Sequence, residues 1–168
     1  MDATEAIRAR RSIRKFAEGA EIPEEHLKLM LEAAMMAPNA NNTRPWDFTV
    51  VRSAEIRKRI AEVHPYARMV AKASVAVVVG VRPDLLPEGM AGFWPQDCAA
   101  ATENLLLQAV ALGYGAVWCG VYPQAERVES IRKVLGGESV PFNVIAVGVP
   151  DEVPAARGYY DPARVRTL

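Results

Sequence analysis

Four cations and a hydroxyl fall within the six residues Arg10-Arg11-Ser12-Ile13-Arg14-Lys15, while the whole chain balances 20 basic against 20 acidic residues for a formal net charge of zero. Like charges so close repel one another. A dianionic phosphate offsets that repulsion through charge-assisted hydrogen bonds, and the planar fork of Arg matches its oxygens. The same run also reads as a solvated basic face or a short nucleic-acid patch. Balanced overall charge argues against nucleic acid, because domains that bind by bulk phosphate attraction carry a large basic excess. The local cluster therefore reads as a pocket.

A second set of side-chain donors lies in Ala37-Pro38-Asn39-Ala40-Asn41-Asn42-Thr43-Arg44-Pro45-Trp46. By residue type alone this is a turn, since Asn and Pro are favoured there. Gly113, Gly115 and Gly120 resemble a dinucleotide fingerprint only on the surface. That motif needs a strand, a glycine turn and then a helix, whereas these glycines follow a helix and lead into a strand. Gly113 reads instead as a helix C-terminal cap. Cys98 and Cys119 have no second pair at metal spacing, so neither a disulfide framework nor a zinc site is indicated. Cys119 has no basic neighbour along the sequence and reads as buried rather than reactive. His26 and His64 are isolated, and neither is assigned catalysis. Met30, Met35 and Met36 read as core filler. Glu103 and Asn104 are polar marks on an apolar helix, placed to satisfy groups at a subunit interface. Trp94 reads either as packing or as a surface that stacks on a ligand.

The elements that must position these residues alternate between helix and strand. Residues 2–10 form a short helix that Asp2 or Thr4 can cap, with Ile7 on its buried side. Pro23 opens a second helix with Glu24 and Glu25 at its positive end, and Pro38 stops it. Trp46 to Val51 is a strand, Ser53 caps a helix running to about Val63, and the valine-rich Val75 to Val81 is a strand buried on both faces. Breakers crowd residues 82–94, which read as a lid or variable insertion. Gln96 to Leu112 is a helix apolar nearly all round, followed by a strand Tyr114 to Trp118, a helix Glu126 to Leu135 and a last strand Phe142 to Val149. The tail, with Pro154, Arg157, Tyr159 and Tyr160, shows little periodicity and reads as wrapping over a surface.

Length and composition set the bounds. At 168 residues, 51% hydrophobic and 24% charged, the chain fits one globular domain, residues 1–168, with a sizeable core. Its start lacks the basic and apolar regions of an export signal, and no apolar run reaches membrane-spanning length. A reducing cytoplasm is the expected location. One central sheet with helices gives an α+β sandwich.

Taken in order, the basic run, the Ala37–Trp46 loop, the segment Gln96 to Gly120 and Val147-Gly148-Val149-Pro150-Asp151-Glu152 resemble the FMN-dependent nitroreductase family over nearly the whole chain. There R-R-S-x-R-x-F binds the flavin phosphate and ribityl chain, and an A-P-S-x-x-N-x-Q-P-W-like loop lies against the isoalloxazine ring. The resemblance implies a mixed central sheet flanked by helices in three layers. It also implies an intertwined homodimer with FMN at the interface and a C-terminal tail that reaches across. Residue by residue, it assigns Arg10, Arg11, Ser12 and Arg14 to phosphate and ribityl oxygens, and Pro38, Asn39, Ala40, Asn42 and Arg44 to the ring. Trp118, Cys119 and Gly120 line the ring's other edge, and Arg157 closes from the tail. Asn39 stands where the family commonly has Ser, Arg44 where it has Gln, and Tyr159 where it has a second cation. Arg44 would bring positive charge close to N1 and C2=O of the flavin. The implied activity is hydride transfer from NAD(P)H through FMN to a small nitroaromatic or quinone-like acceptor by ping-pong turnover, with no catalytic side chain and no metal. Alternatives on the same scaffold are oxygen-dependent flavin fragmentation, reductive dehalogenation and a non-enzymatic FMN-binding protein.

Overall fold

A computed structural model describes residues 1–89, 91–155, 158 and 160–168. Five helices, α1 (Ala3–Ala9), α2 (Glu24–Met35), α3 (Ala54–Val63), α4 (Trp94–Ala111) and α5 (Ala125–Leu135), flank four strands, β1 (Trp46–Val51), β2 (Val75–Val81), β3 (Gly115–Gly120) and β4 (Val140–Gly148). The strand order is β1-β2-β4-β3. Alternation along the strands produces the three layers. Val75, Val77, Val79 and Val81 of β2, with Ile145 and Val147 of β4, face α2 and α4. Ala76 and Val78, with Val144 and Ala146, face α3 and α5. Each fully buried Val or Ile contributes roughly 1.5 to 3 kcal/mol of transfer free energy.

The expected mixed sheet is antiparallel at every pairing of the four strands. Parallel geometry among the described residues is confined to the isolated bridge between Ser12 and Ala116. No helix among them is long and apolar enough to cross a membrane.

Local chemistry explains the boundaries. Asp2 caps α1 in a reciprocal box with Glu5, so the helix begins at Ala3. Its buried residue is Ala6, and Ile7, expected inside, is exposed. Pro23 lies just before α2 rather than within it. Met30 is buried, but Met35 and Met36 are exposed, which corrects the reading of all three as core. α4 starts two residues earlier than expected because Trp94 is drawn into the core against Tyr122 and Phe142, so its role is packing. At the other end Gly113 has φ +86°, its N–H bonds Val110 O, and Tyr114 N–H bonds Ala109 O. These two bonds form a Schellman cap, as a helix-ending glycine predicts. Short 3-10 turns at Arg68–Lys72 and Pro162–Arg164 carry no periodicity long enough to read from sequence.

Candidate functional site

The basic segment is laid down by its apolar residues. Arg10 ends α1 with ψ 126°, turning the chain out of the helix. Ile13 N–H then bonds Ala116 O at 2.9 Å, Phe16 bridges Pro150, and Ala17 N–H bonds Val149 O. Ile13 and Phe16 sink into the core under the segment. They do so where the sheet has glycine: a Cβ on Gly115 would lie 2.7 Å from Ile13 Cγ2, and one on Gly148 2.8 Å from Phe16 Cδ1. Burying Ile13 and Phe16 leaves Arg10, Arg11, Ser12 and Arg14 lining a cavity of about 880 Å³, together with Arg8, Glu152 and the tail residues Pro154, Ala155 and Gly158.

The cations in this cavity are not equivalent. Arg10 Nε sits 3.1 Å from Glu103, which thus has a partner within its own chain. Asn104 likewise stays within the chain, donating to Ala33 O at 3.0 Å. Arg11 folds back on the end of α1, its Nη1 donating to Arg8 O and Arg10 O, while its buried Nε has no partner among the described residues. Glu152 accepts the backbone N–H groups of Arg14 and Lys15 at 2.5 and 3.1 Å, and these bonds hold its carboxyl below the usual carboxylate range. Guanidinium groups, a hydroxyl and an orphaned Nε suit a multiply charged oxyanion.

Arg14 also lines a second cavity of about 500 Å³, with His64, Tyr66, Met69, Val117, Trp118, Cys119, Gly120 and Arg127. Trp118 meets Phe142 edge to face at 5.5 Å between centroids. Cys119 is buried beside Met69 and Tyr66 O, and burial pushes its thiol up to about 11 against a lowering from Arg14. His64, isolated in sequence, is 1% exposed and wedged between Gly120 and Tyr66. Burial lowers its pKa, the hydrogen bond to Gly120 O partly offsets this, and the charge of Arg127 lowers it again, for a net shift downwards. Sequence reasoning missed His64, Tyr66, Met69, Arg127 and Glu152 as cavity residues. The only local signal was the polar His64-Pro65-Tyr66 break at the end of α3. His26, equally isolated, pairs with Tyr114 Oη at 2.8 Å away from both cavities.

The Ala37–Trp46 loop is spent on its own shape. Asn39 Oδ1 accepts Arg44 N–H at 2.8 Å, Arg44 Nε donates to Asn42 Oδ1 at 3.1 Å, and buried Asp97 accepts Ala40 N–H at 2.9 Å. Asn41, Asn42 and Arg44 all have positive φ, near 50°. Asn tolerates this region and Arg does so only under constraint, at a cost of order 1–3 kcal/mol. Pro38, Asn39, Ala40, Asn42 and Arg44 line neither cavity of their own chain. Arg157 lies outside the described residues.

The structure thus joins the basic segment to the end of β3 through Arg14, and leaves the Asn-rich loop apart. A protein of Methanothermobacter thermautotrophicus, provisionally named NADH dehydrogenase/NAD(P)H nitroreductase, is 48% identical over 98% of this chain and 86% of its own length. A structure from Parabacteroides distasonis with the same provisional name superposes at TM-score 0.90, with 34% identity over 98% of this chain and 96% of that one. A nitroreductase-like protein of Desulfovibrio desulfuricans, solved in complex with FMN, is 27% identical at TM-score 0.82, covering 100% and 98%. The sequence pattern of the nitroreductase family matches residues 7–65 and 63–149, and with relatives this similar over nearly its full length the chain belongs to that family.

Proposed function

We propose that residues 1–168 form one FMN-binding unit that works in the cytoplasm as an NAD(P)H-dependent flavin oxidoreductase. Electrons pass to a small nitroaromatic or quinone-like acceptor in ping-pong turnover. The observation that carries this reading is that Arg14 borders both the cation-lined cavity and the cavity at the end of β3. An elongated cofactor with phosphate at one end and a ring at the other needs two such spaces joined by a donor. The Desulfovibrio desulfuricans relative, solved with FMN, supports the choice of cofactor.

Arg10, Arg11, Ser12 and Arg14 hold the phosphate and ribityl oxygens, and Arg157 comes from the tail whose Pro154, Ala155 and Gly158 border that cavity. Trp118, Cys119 and Gly120 line one edge of the ring. The loop Pro38, Asn39, Ala40, Asn42 and Arg44 comes from a second copy of the chain, which accounts for its absence from both cavities and makes the site a homodimer property. Bound FMN supplies the two-electron chemistry between nicotinamide and acceptor. The chain binds, orients and shields it. In this arrangement the charge beside the ring comes from Arg14 and Arg127 of one chain and from Arg44 of the second copy, whose side chain is held by Asn42.

The test is the visible spectrum of the purified protein and of the cofactor released on denaturation, followed by initial rates of NADH and NADPH oxidation at several quinone concentrations. Bound FMN and parallel double-reciprocal lines are the expected result. A colourless protein that takes up no added FMN rejects the reading, and intersecting lines reject its ping-pong component.

A further inference from the structure

We propose that His64 is a positioning residue for the flavin-facing end of β3: together with Arg127 it locks the peptide between Gly120 and Val121 in one orientation. The role rests on the FMN reading above, because it acts on the edge that Trp118, Cys119 and Gly120 offer to the ring.

The tautomer of His64 follows from its partners. Its Nδ1 lies 3.2 Å from the backbone nitrogen of Tyr66, and its Nε2 lies 2.9 Å from Gly120 O. A backbone N–H only donates and a carbonyl only accepts, so Nδ1 carries the lone pair and Nε2 carries the hydrogen. Arg127, reaching over from α5, brings Nη1 to 3.4 Å from the same carbonyl, with its guanidinium 5.1 Å from the Tyr66 ring centroid. The other side of this peptide is also held, since Val121 N–H donates to Phe142 O at 3.0 Å.

Gly120 would otherwise be the weak point of the strand. It has no Cβ, and nothing lies within 4 Å of where one would be. A glycine peptide at a strand end rotates at little cost. With its carbonyl turned to His64 and Arg127 and the following N–H turned to Phe142, this peptide has no alternative orientation that keeps all three bonds. The ring cavity therefore has one fixed backbone edge.

A proton on Nδ1 would set two donors, the imidazolium N–H and Tyr66 N–H, against each other. Arg127 from α5 opposes that proton by its charge, Arg14 is a second cation on the same cavity, and burial keeps the Cys119 thiol neutral, while the hydrogen bond to Gly120 O acts in the opposite sense. Burial, the largest effect, leaves the pKa of His64 lowered. The lock is thus set across neutral pH and opens on the acid side.

The experiment uses the FMN-loaded full chain together with its apoprotein. In the apoprotein, 15N NMR of the histidine ring is expected to show the neutral Nε2–H form at pH 7. In the holoprotein, His64→Leu removes the shorter of the two hydrogen bonds to Gly120 O and leaves Arg127 alone to orient the peptide, so FMN Kd should rise about tenfold and the reduction potential should move. His64→Gln, whose side-chain amide reaches the Nε2 position, should restore both. Should His64→Leu not fold, Arg127→Met on the half-buried face of α5 carries the test, with a lower potential expected because a cation beside the ring favours its added negative charge. A protonated or Nδ1–H ring in the apoprotein overturns the proposal. So do His64→Leu and Arg127→Met variants that bind FMN with unchanged Kd and potential and differ only in melting temperature. A wild-type protein that binds no FMN rejects the underlying flavin reading and this role with it, whereas a flavin-bound wild type with indifferent variants rejects this role alone.

Discussion

The Glu152 carboxylate accepts the backbone N–H of Arg14 at 2.5 Å, across 138 residues of sequence, and so ties the end of the last sequence motif to the middle of the first. Its second bond, to Lys15 N–H, fixes the same turn of the basic segment. Both bonds favour the ionised carboxylate, which holds its pKa below the ordinary 4.5. The contact therefore stabilises the folded chain above the unfolded pKa, and that contribution is lost as the pH falls through the lower folded value. Glu152→Ala should lower the melting temperature of the apoprotein at pH 7, and the gap to wild type should close on acidification below pH 4.5. Melting curves of both proteins across pH provide the check. A gap independent of pH would mean that the ionised carboxylate is not its source.

The two arginines that flank Ser12 should differ in their effect on FMN. Arg14 borders both cavities, whereas Arg10 already has Glu103 at 3.1 Å. Charge-assisted contacts are worth about 1.5 to 3 kcal/mol, so Arg14→Ala should weaken FMN binding by about tenfold to a hundredfold. Arg10→Ala should do less, and the double variant should lose a hundredfold or more by the same arithmetic. Flavin fluorescence titrations decide this, and unchanged affinity in the double variant would eliminate the site.

Much of this architecture is legible in the sequence because it depends on local chemistry. The valine-rich Val75 to Val81 reads as a strand covered on both faces and is one, and Gly113 ends α4 as its sequence context predicts. The basic run also reads correctly as a cavity wall, since no partner is needed to place four cations in six residues. What was not legible depends on the third dimension. His64 gains its meaning from Gly120, 56 residues away, and no periodicity marks that pairing. The Asn-rich loop reads by residue type as a turn and only by resemblance as a ring-binding element; its side chains and the buried Asp97 hold its own backbone, and no local pattern says whose cavity it faces.

Close approach at two glycines should be measurable. An added Cβ at Gly115 meets Ile13, and one at Gly148 meets Phe16 and, at 3.2 Å, the backbone nitrogen of Ser74. Gly115→Ala and Gly148→Ala should each destabilise the protein by about 1 to 3 kcal/mol, the usual cost of overpacking. Trimming Ile13 makes room for the new methyl, so Gly115→Ala combined with Ile13→Ala should cost less than the sum of the single changes. Urea unfolding of the four proteins gives the coupling directly. Simple additivity would show that Ile13 and Gly115 do not constrain each other.

Both cysteines should be silent in the native state. Burial pushes Cys98 up to about 12 and Cys119 up to about 11, and the thiolate is the reactive form. A disulfide reagent such as Ellman's at about pH 8, where ordinary thiols react readily, should therefore titrate neither thiol in the folded protein. Both should titrate once it is unfolded, as expected of two free cysteines. Rapid modification of Cys119 in the native protein would show that the ring cavity opens far enough to admit the reagent.

The last prediction concerns assembly, where three observations converge. The loop from Pro38 to Arg44 lines neither cavity of its own chain. Met35 and Met36, just before that loop, are 53% and 82% exposed. Beyond the sheet the tail leaves Val153 and Leu168 fully exposed. In the proposed homodimer a second copy of the chain would cover the methionines, bring its loop to the ring cavity and receive the tail, and two-fold symmetry would make every such contact twice. Truncation after Glu152 keeps the carboxylate that fixes Arg14 but removes the tail, including Arg157. It should therefore weaken dimerisation and FMN binding together while leaving the secondary structure of each subunit in place. Sedimentation reports the first effect, flavin fluorescence the second and circular dichroism the third. Full-length protein that sediments as a monomer at micromolar concentration with FMN fully bound would overturn the shared site, even though Arg14 would still join the two cavities within one chain.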